Sequence, residues 1–222
     1  METPVVIAAL YVAFAYITAS LWESTFHHHI LHARRRTKRS WRNWGHIGAL
    51  LRLAYFFHQT IHHRRTFLRS LLSQFDSPAQ RQALDSRLKG SIGLRARLDR
   101  YGLTVTGPTE FVAFAGLPLL VNALAAIAVE PWLLPIGVLA SLLPILLSRY
   151  IHPLLHEATP PVCATGFLPR LRRSLLFRLL QEYHLIHHVQ RNTNFNLLLG
   201  ADWLLGKAIS PRAFRTEQRG EA

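Results

Sequence analysis

The stretch FVAFAGLPLLVNALAAIAVEPWLLPIGVLASLLPILLSRYIHPLLH, residues 111–156, decides the fold of this chain. It contains two apolar runs, Phe111 to Val129 and Trp132 to Leu147, separated only by a Glu-Pro pair. A helix needs about 20 apolar residues, roughly 17 to 25, to cross the hydrocarbon core of a bilayer. The first run reaches that length, and the second reaches it if it continues to Ile151 past a snorkelling arginine. The sequence therefore predicts a membrane-spanning helical hairpin.

A third uncharged run, Pro4 to Leu21, predicts a further crossing. It lacks a basic leader, and Trp22 and Glu23 follow it instead of a small-residue cleavage site, so we expect a retained anchor and not a signal peptide. The alternative, buried helices of a soluble core, requires too many such runs for 222 residues. The predicted fold class is all-α: an integral membrane helical bundle of three or four transmembrane helices with a cytoplasmic, histidine-rich helical cap.

The basic residues predict the orientation of this bundle. All 26 Lys and Arg residues lie between Arg34 and Arg100 or between Arg149 and Arg219, and the positive-inside rule makes that side cytoplasmic. Anionic lipid headgroups account for the formal net charge of +14, whereas nucleic-acid binding lacks a recognition motif. We expect a multi-pass protein of a bacterial inner membrane or the endoplasmic reticulum. Its single domain, 1–222, has spans at about 4–21, 111–129 and 132–151, cap segments 23–109 and 152–210, and a tail 211–222.

Twelve of the thirteen histidines fall in four short clusters. The clusters are HHHILH at 27–32, HQTIHH at 58–63, HPLLH at 152–156 and HLIHH at 184–188. Residues three and four apart share a face of a regular helix, so each cluster can aim its nitrogens at one point. The expected groupings are His58 with His62, His152 with His156, and His184 with His187 and His188. Imidazole suits iron and other borderline metals, and four such elements predict a centre for two metal ions.

The order and spacing of these clusters around membrane spans resemble the fatty acid hydroxylase superfamily, which includes sterol desaturases and lipid 2-hydroxylases. The family pattern runs HxxxxH, HxxHH, HxxxH, HxxHH. The stretch from His27 to His32 matches the first element, HPLLH the third and HLIHH the fourth. The continuation NFNLLLGADWLLG, 194–206, is similar to the family's segment after its last histidine box. The resemblance covers nearly the whole chain. The family architecture implies a fourth crossing in the stretch Asn194 to Ile209, whereas the residues themselves leave three or four crossings open.

The resemblance implies a membrane monooxygenase with a non-haem di-iron centre, Fe2+/Fe3+. This centre would use dioxygen as co-substrate to hydroxylate a carbon–hydrogen bond of a lipid or fatty-acyl substrate. Electrons would come from an external donor of the cytochrome b5, ferredoxin or flavoprotein type, because no cytochrome b5 or flavin signature is present. The implied catalytic residues are His27, His32, His62, His63, His152, His156, His184, His187 and His188. These nine and His58 are the implied metal ligands, and no other cofactor is expected.

In two of the clusters, the sequence does not decide which histidines act as ligands together. The pattern HxxHH would put a histidine at position 59, where this chain has Gln59. Either His58 takes over the role by pairing across one helical turn, or one ligand is missing. In the first cluster, regular helical spacing favours His28 with His32, because a five-residue gap turns side chains about 140° apart. The family register favours His27 instead, and we expect that register on a distorted or ending helix.

Alternative functions remain open. A lipid or sterol desaturase would use the same chemistry, and a non-catalytic metal-binding membrane protein would fit the departure at Gln59. A haem protein is disfavoured because no histidine lies within the apolar runs. His46 stands alone and is not expected to be a ligand. Glu23 is placed to orient a histidine, and Asn196 and Asp202 to hydrogen-bond ligand imidazoles, with an interfacial position or helix capping as the alternative.

Overall fold

The computed structural model describes residues 4–67, 108–156 and 165–218, together with positions 79, 82, 83 and 86. Within these ranges the chain is all-helical and has no strand, which confirms the all-α prediction. The remainder of the predicted cap lies outside the described residues. The α-helices are α1 Pro4–Phe26, α2 Arg35–Ser40, α3 Gly45–Tyr55, α4 Pro108–Val129, α5 Leu134–Leu146, α6 His152–Leu155, α7 Phe167–Arg173, α8 Leu175–Val189, α9 Ala201–Leu204 and α10 Pro211–Gln218.

Three α-helices continue directly into π-helical segments. His27–Leu31 follows α1, Phe56–Thr66 follows α3, and Leu147–Ile151 follows α5. A π-helix closes each turn with a hydrogen bond between residues five apart, and such segments are frequent at functional sites. Each of these three segments contains a histidine cluster or leads into one.

The helices α1, α4 and α5 pack against one another as a bundle. Tyr11 in the first half of α1 shares an apolar cluster with Ala126 near the end of α4. Phe26, the last residue of α1, shares another with Phe114 near the start of α4 and Ile145 near the end of α5. Thus α1 and α5 run in the same direction and α4 runs in the opposite one. The histidine-bearing ends of α1 and α5 therefore lie at the same end of the bundle.

A buried polar contact joins these three helices. The Tyr11 hydroxyl donates to the Asn122 carbonyl at 2.6 Å, and the Asn122 amide donates to the Ser141 hydroxyl at 2.8 Å. Ser141 in turn donates to the Gly137 carbonyl at 2.7 Å. A Cβ at position 137 would collide with the Tyr11 hydroxyl. The missing side chain at Gly137 therefore sets how closely α1 and α5 approach.

Among the described residues, two helical stretches are long and apolar enough, by length and composition, to cross a membrane. They are Pro4–Leu31 and Pro131–Leu155, with mean hydropathy of 2.0 and 1.9. The apolar helix Phe114–Val129 is shorter. The span predicted for Pro4 to Leu21 thus continues to Leu31. The span that leads into the third histidine cluster begins at Pro131, in the turn after α4.

The expected fourth crossing is wrong. Within Asn194–Ile209, the helix α9 contains four residues, and the chain then turns back. The Lys207 and Ala208 N–H groups both donate to the main-chain carbonyl of Asp202. The region is therefore a compact set of turns and not a spanning helix.

The segment 211–222 has the composition of a disordered tail, but its part Pro211–Gln218 forms the helix α10. This helix packs against α8, and Arg215 lies 3.3 Å from Glu182 in an exposed ion pair. Residues 219–222 lie outside the described part of the chain.

The close approach at Gly137 yields a stability prediction. We expect Gly137→Ala to lower the free energy of unfolding by about 1–3 kcal/mol, because the new methyl group overpacks the contact with Tyr11. Gly116→Ala on α4 is the matched control, since among the described atoms its Cβ would meet Val112 Cγ1 alone, at an ordinary contact distance of 3.5 Å. Alanine is about 1 kcal/mol better than glycine inside a helix, so the control is expected to be neutral or stabilising. Denaturant unfolding of the purified variants measures both, and equal effects would contradict this account of the contact.

Candidate metal centre

Ten histidines come together in two adjoining groups at the end of the bundle. The His58 group consists of His27, His32, His58, His63 and His187. The His184 group consists of His62, His156, His184 and His188 together with His152, whose Nε2 lies 3.0 Å from Nε2 of His184. These are the ten histidines that the sequence analysis names as metal ligands. His28, His29 and His46 lie outside both groups.

The π-helical turn at the end of α1 brings two residues of the first cluster together. The His32 N–H donates to the His27 carbonyl at 2.9 Å, a bond between residues five apart. A π-helix has more residues per turn than an α-helix, so residues five apart lie much nearer to one face than the about 140° that separates them in an α-helix. His27 and His32 therefore join the same group, whereas His28 stacks on Phe195.

The expected pairing of His58 with His62 is wrong. The segment that carries them is π-helical, which brings His63 towards the side of His58, and the Nε2 atoms of His58 and His63 lie 3.0 Å apart. His62 belongs to the other group. Gln59 belongs to neither, and its buried Oε1 has no hydrogen-bond partner within the described residues. His58 thus supplies an imidazole to its group, and Gln59 supplies none.

The helix α8 contributes to both groups, contrary to the expectation that its three histidines aim at one point. His184 and His188 lie one turn apart and join the His184 group, whereas His187 joins the His58 group. Adjacent residues on an α-helix point about 100° apart, so neighbours in sequence can serve different groups. The groups adjoin, because the ring centroids of His63 and His188 lie 4.3 Å apart.

The nitrogens at each centre cannot all be hydrogen-bonded to one another. The Nε2 of His58 lies 2.8 Å from that of His27, 3.2 Å from that of His32 and 3.0 Å from that of His63. The Nε2 of His184 is likewise 2.9–3.2 Å from its three nearest counterparts, which belong to His152, His156 and His188. A ring nitrogen carries at most one hydrogen. A ring nitrogen with one hydrogen or one lone pair makes about one good hydrogen bond, so most of these contacts cannot be hydrogen bonds.

Main-chain carbonyls fix three of these rings with the lone pair of Nε2 directed inward. His27 Nδ1 lies 2.6 Å from the carbonyl of Phe195, and His187 Nδ1 lies 2.8 Å from that of Thr193. His188 Nδ1 lies 2.7 Å from a third carbonyl, that of residue 67. A carbonyl only accepts, so each Nδ1 must donate its hydrogen, which leaves Nε2 of the neutral ring unprotonated. Metal-binding histidines are held in this way.

The donor geometry fits metal ions. Metal–nitrogen bonds of about 2.0–2.1 Å place ligands at right angles about 2.9 Å apart, close to the observed separations of 2.8–3.3 Å. Both ring nitrogens of the fully buried His62 have no hydrogen-bond partner in the described part of the chain. Either ring nitrogen is thus available to a metal. The two groups can each hold a metal ion, and an all-imidazole donor set suits iron, zinc, copper and nickel.

Burial keeps these imidazoles neutral. Burial, followed by the neighbouring imidazoles, holds the pKa of His62, His63 and His184 well below its usual range. Burial also lowers the pKa of His187 to about 4, although its bond to the Thr193 carbonyl raises it. A neutral imidazole is the form that binds a metal. The centre is therefore ready to accept cations at neutral pH.

The three polar residues that were expected to orient ligand imidazoles do so less directly. They are Glu23, Asn196 and Asp202. None of their side chains hydrogen-bonds a ligand imidazole within the described residues. The Asp202 carboxylate instead accepts from the Ser24 hydroxyl at 2.5 Å and from the Asn196 N–H at 2.7 Å. The groups that do orient the rings are main-chain carbonyls, which every residue type carries, so no sequence signal could have found them.

Comparison with known proteins finds no matching family model, curated protein or solved structure. Membership of the fatty acid hydroxylase superfamily therefore stays a prediction, and it rests on the histidine motifs. The two groups of imidazoles are observations of this structure and do not depend on that membership.

Removal of one imidazole tests the metal assignment. We expect His62→Ala to lose the metal ion of the His184 group, because it removes a buried ligand, and to bind about half as much metal per chain as the wild type. His46→Ala is the matched control, since His46 is exposed and lies outside both groups. Elemental analysis of the purified proteins measures the stoichiometry. Equal metal content in the two variants would contradict the assignment.

The second cluster yields a separate prediction. His58→Ala is expected to weaken metal binding by the His58 group, whereas Gln59→Leu is expected to retain full metal content. The latter removes a buried amide oxygen that has no hydrogen-bond partner among the described residues, and it removes no imidazole. Loss of metal in Gln59→Leu, with retention in His58→Ala, would show that the ligand lies at position 59.

Proposed function

We propose that this chain is a multi-pass membrane protein that binds two iron ions and hydroxylates a carbon–hydrogen bond of a lipid or fatty-acyl substrate with dioxygen. The observation that carries the proposal is the pair of adjoining, buried, all-imidazole groups. The resemblance of the histidine clusters to the fatty acid hydroxylase superfamily supplies the choice of iron and of lipid.

A membrane location is supported by the bundle. Pro4–Leu31 and Pro131–Leu155 have the length and composition of crossings. Their outward side chains are apolar, as Leu10 is 63% exposed and Leu139 is 58% exposed. Such an apolar exterior is typical of helices in lipid. The histidine-bearing ends of α1 and α5 lie at one end of the bundle, and the positive-inside rule makes that end cytoplasmic in this proposal.

The position of the centre suits a lipid substrate. His27 follows directly on α1, and His152 lies within the second candidate span. The centre therefore sits where the bundle ends, within reach of an acyl chain that extends from the bilayer. When bound, the two irons would supply the activation of dioxygen. The neutral imidazole nitrogens would hold them and would shield them from bulk water, because nine of the ten imidazoles are buried.

The reaction needs electrons from outside the chain. One oxygen atom of dioxygen enters the carbon–hydrogen bond and the other leaves as water, which consumes two electrons and two protons. An external donor of the cytochrome b5, ferredoxin or flavoprotein type would supply the electrons. Desaturation of the same carbon chain would consume the same electrons but would release both oxygen atoms as water.

Lipid mass spectrometry under isotopically labelled dioxygen tests the proposal. Cells that express the wild type are expected to contain a lipid heavier by one labelled oxygen atom than its precursor. His184→Ala is expected to abolish this product, and His46→Ala to retain it. A product lighter by two hydrogens would identify a desaturase instead. An unchanged lipid profile, from protein with two bound irons and a working electron donor, would favour a non-catalytic metal-binding protein.

A further inference from the structure

We infer that Asp202, supported by Glu23, is a positioning residue for the His58 group, and that its carboxylate holds the His27 imidazole through a single peptide group. The inference rests on the metal-binding part of the proposed function. It does not depend on which lipid is the substrate.

The peptide group between Phe195 and Asn196 connects the carboxylate to the ring. Its N–H belongs to Asn196 and donates to Asp202 Oδ2 at 2.7 Å. Its carbonyl belongs to Phe195 and lies 2.6 Å from His27 Nδ1, which must donate to it. A trans peptide is planar, and its N–H and C=O point in opposite directions. Any movement of the Asp202 carboxylate is therefore transmitted to the orientation of His27.

This chain of hydrogen bonds also polarises the ring. Hydrogen bonds in series strengthen one another in an environment of low dielectric. A carboxylate that accepts from the peptide N–H makes the peptide carbonyl a better acceptor, and this carbonyl in turn makes His27 Nε2 a better metal donor. Metal-binding histidines commonly donate to a carboxylate or a carbonyl for this reason. Here a carboxylate and a carbonyl act one after the other.

Glu23 fixes the next two peptide groups of the same segment. Its Oε1 accepts from the Leu197 N–H at 3.0 Å, and its Oε2 accepts from the Leu198 N–H at 2.9 Å. The Asn196 amide also donates to Oε2 at 3.4 Å. Glu23 lies one turn before His27 on α1. The helix that carries the ligand therefore also holds the segment that orients it.

The two carboxylates have no ion-pair partner in the part of the chain that the structure describes. Glu23 is 2% exposed and Asp202 is 3% exposed, and they are the only acids among the buried residues described. Burial of a charge is costly, and the positive charge of Lys207 offsets only part of that cost for Asp202. Two metal ions held by neutral imidazoles would carry the compensating positive charge. This placement of the acids is explained if they serve the metal centre.

The effect of losing the Asp202 carboxylate should be confined to the His58 group. The segment from Thr193 to Phe195 orients both His27 and His187, which belong to the His58 group. In the His184 group, His188 is oriented by the carbonyl of Phe67, from a different part of the chain. Loss of the carboxylate is therefore expected to loosen one metal ion and to leave the other in place.

The test compares metal retention in full-length, detergent-purified variants. Wild type, Asp202→Asn and Glu23→Gln are loaded with Co2+ as the probe and then challenged with a chelator. Ser141→Ala is the matched control, because it also removes a buried hydrogen bond between helices but lies in the bundle, away from the imidazoles. The readouts are metal per chain, release rate and the visible ligand-field spectrum of Co2+, which reports the geometry of its ligands.

We expect the wild type and Ser141→Ala to retain two ions. Asp202→Asn is expected to release one ion about 10- to 100-fold faster with a changed spectrum, while the second ion is released at the wild-type rate. Glu23→Gln should act in the same direction. Wild-type release and spectrum in Asp202→Asn would overturn the inference, as would parallel loss of both ions. If Asp202→Asn does not fold, Ser24→Ala removes one bond to the carboxylate and is measured against the same outcomes. A wild type that binds no metal would refute the proposed function as well.

Discussion

The structure depends on one electrostatic constraint: neutral imidazole nitrogens point their lone pairs at one another in a buried space. The Nε2 of His58 and the Nε2 of His184 each have three others within 3.2 Å. Carbonyl partners at Nδ1 prevent several of these rings from turning their hydrogens inward. Repulsion between such lone pairs is relieved by a cation at the centre of each group. The histidine centre therefore makes physical sense as a metal site.

The rest of the fold serves this convergence. The bundle brings the ends of α1 and α5 together, and the π-helical turns let histidines five apart share a face. Neighbouring residues such as His62 and His63 then serve different groups, which keeps the two groups adjoining. The turns after α8 contribute carbonyls and not ligands. Asn194, with φ of 51°, has the left-handed backbone that asparagine tolerates, and it lies between the two orienting residues, Thr193 and Phe195.

Much of this arrangement could be predicted from the sequence, because apolar run length and histidine spacing are local properties. The helical class and the ten clustered imidazoles follow from them. The division into two groups could not be predicted, since it depends on whether Phe56–Thr66 winds as a π-helix or as an α-helix, and tertiary contacts decide this. The fourth crossing failed for a related reason. That crossing was implied by the family architecture, whereas in this chain Gly200, with φ of 139°, is the N-cap of the four-residue α9, so no long helix runs through it.

X-ray absorption spectroscopy of the iron-loaded protein tests the central claim most directly. Combined with elemental analysis, it measures the number of ions per chain and the atoms bound to each. The account predicts two irons per chain, each with a nitrogen-rich first shell at about 2.0–2.2 Å, imidazole scattering beyond it and no sulfur ligand. One ion or none per chain, or a first shell without imidazole, would contradict the account.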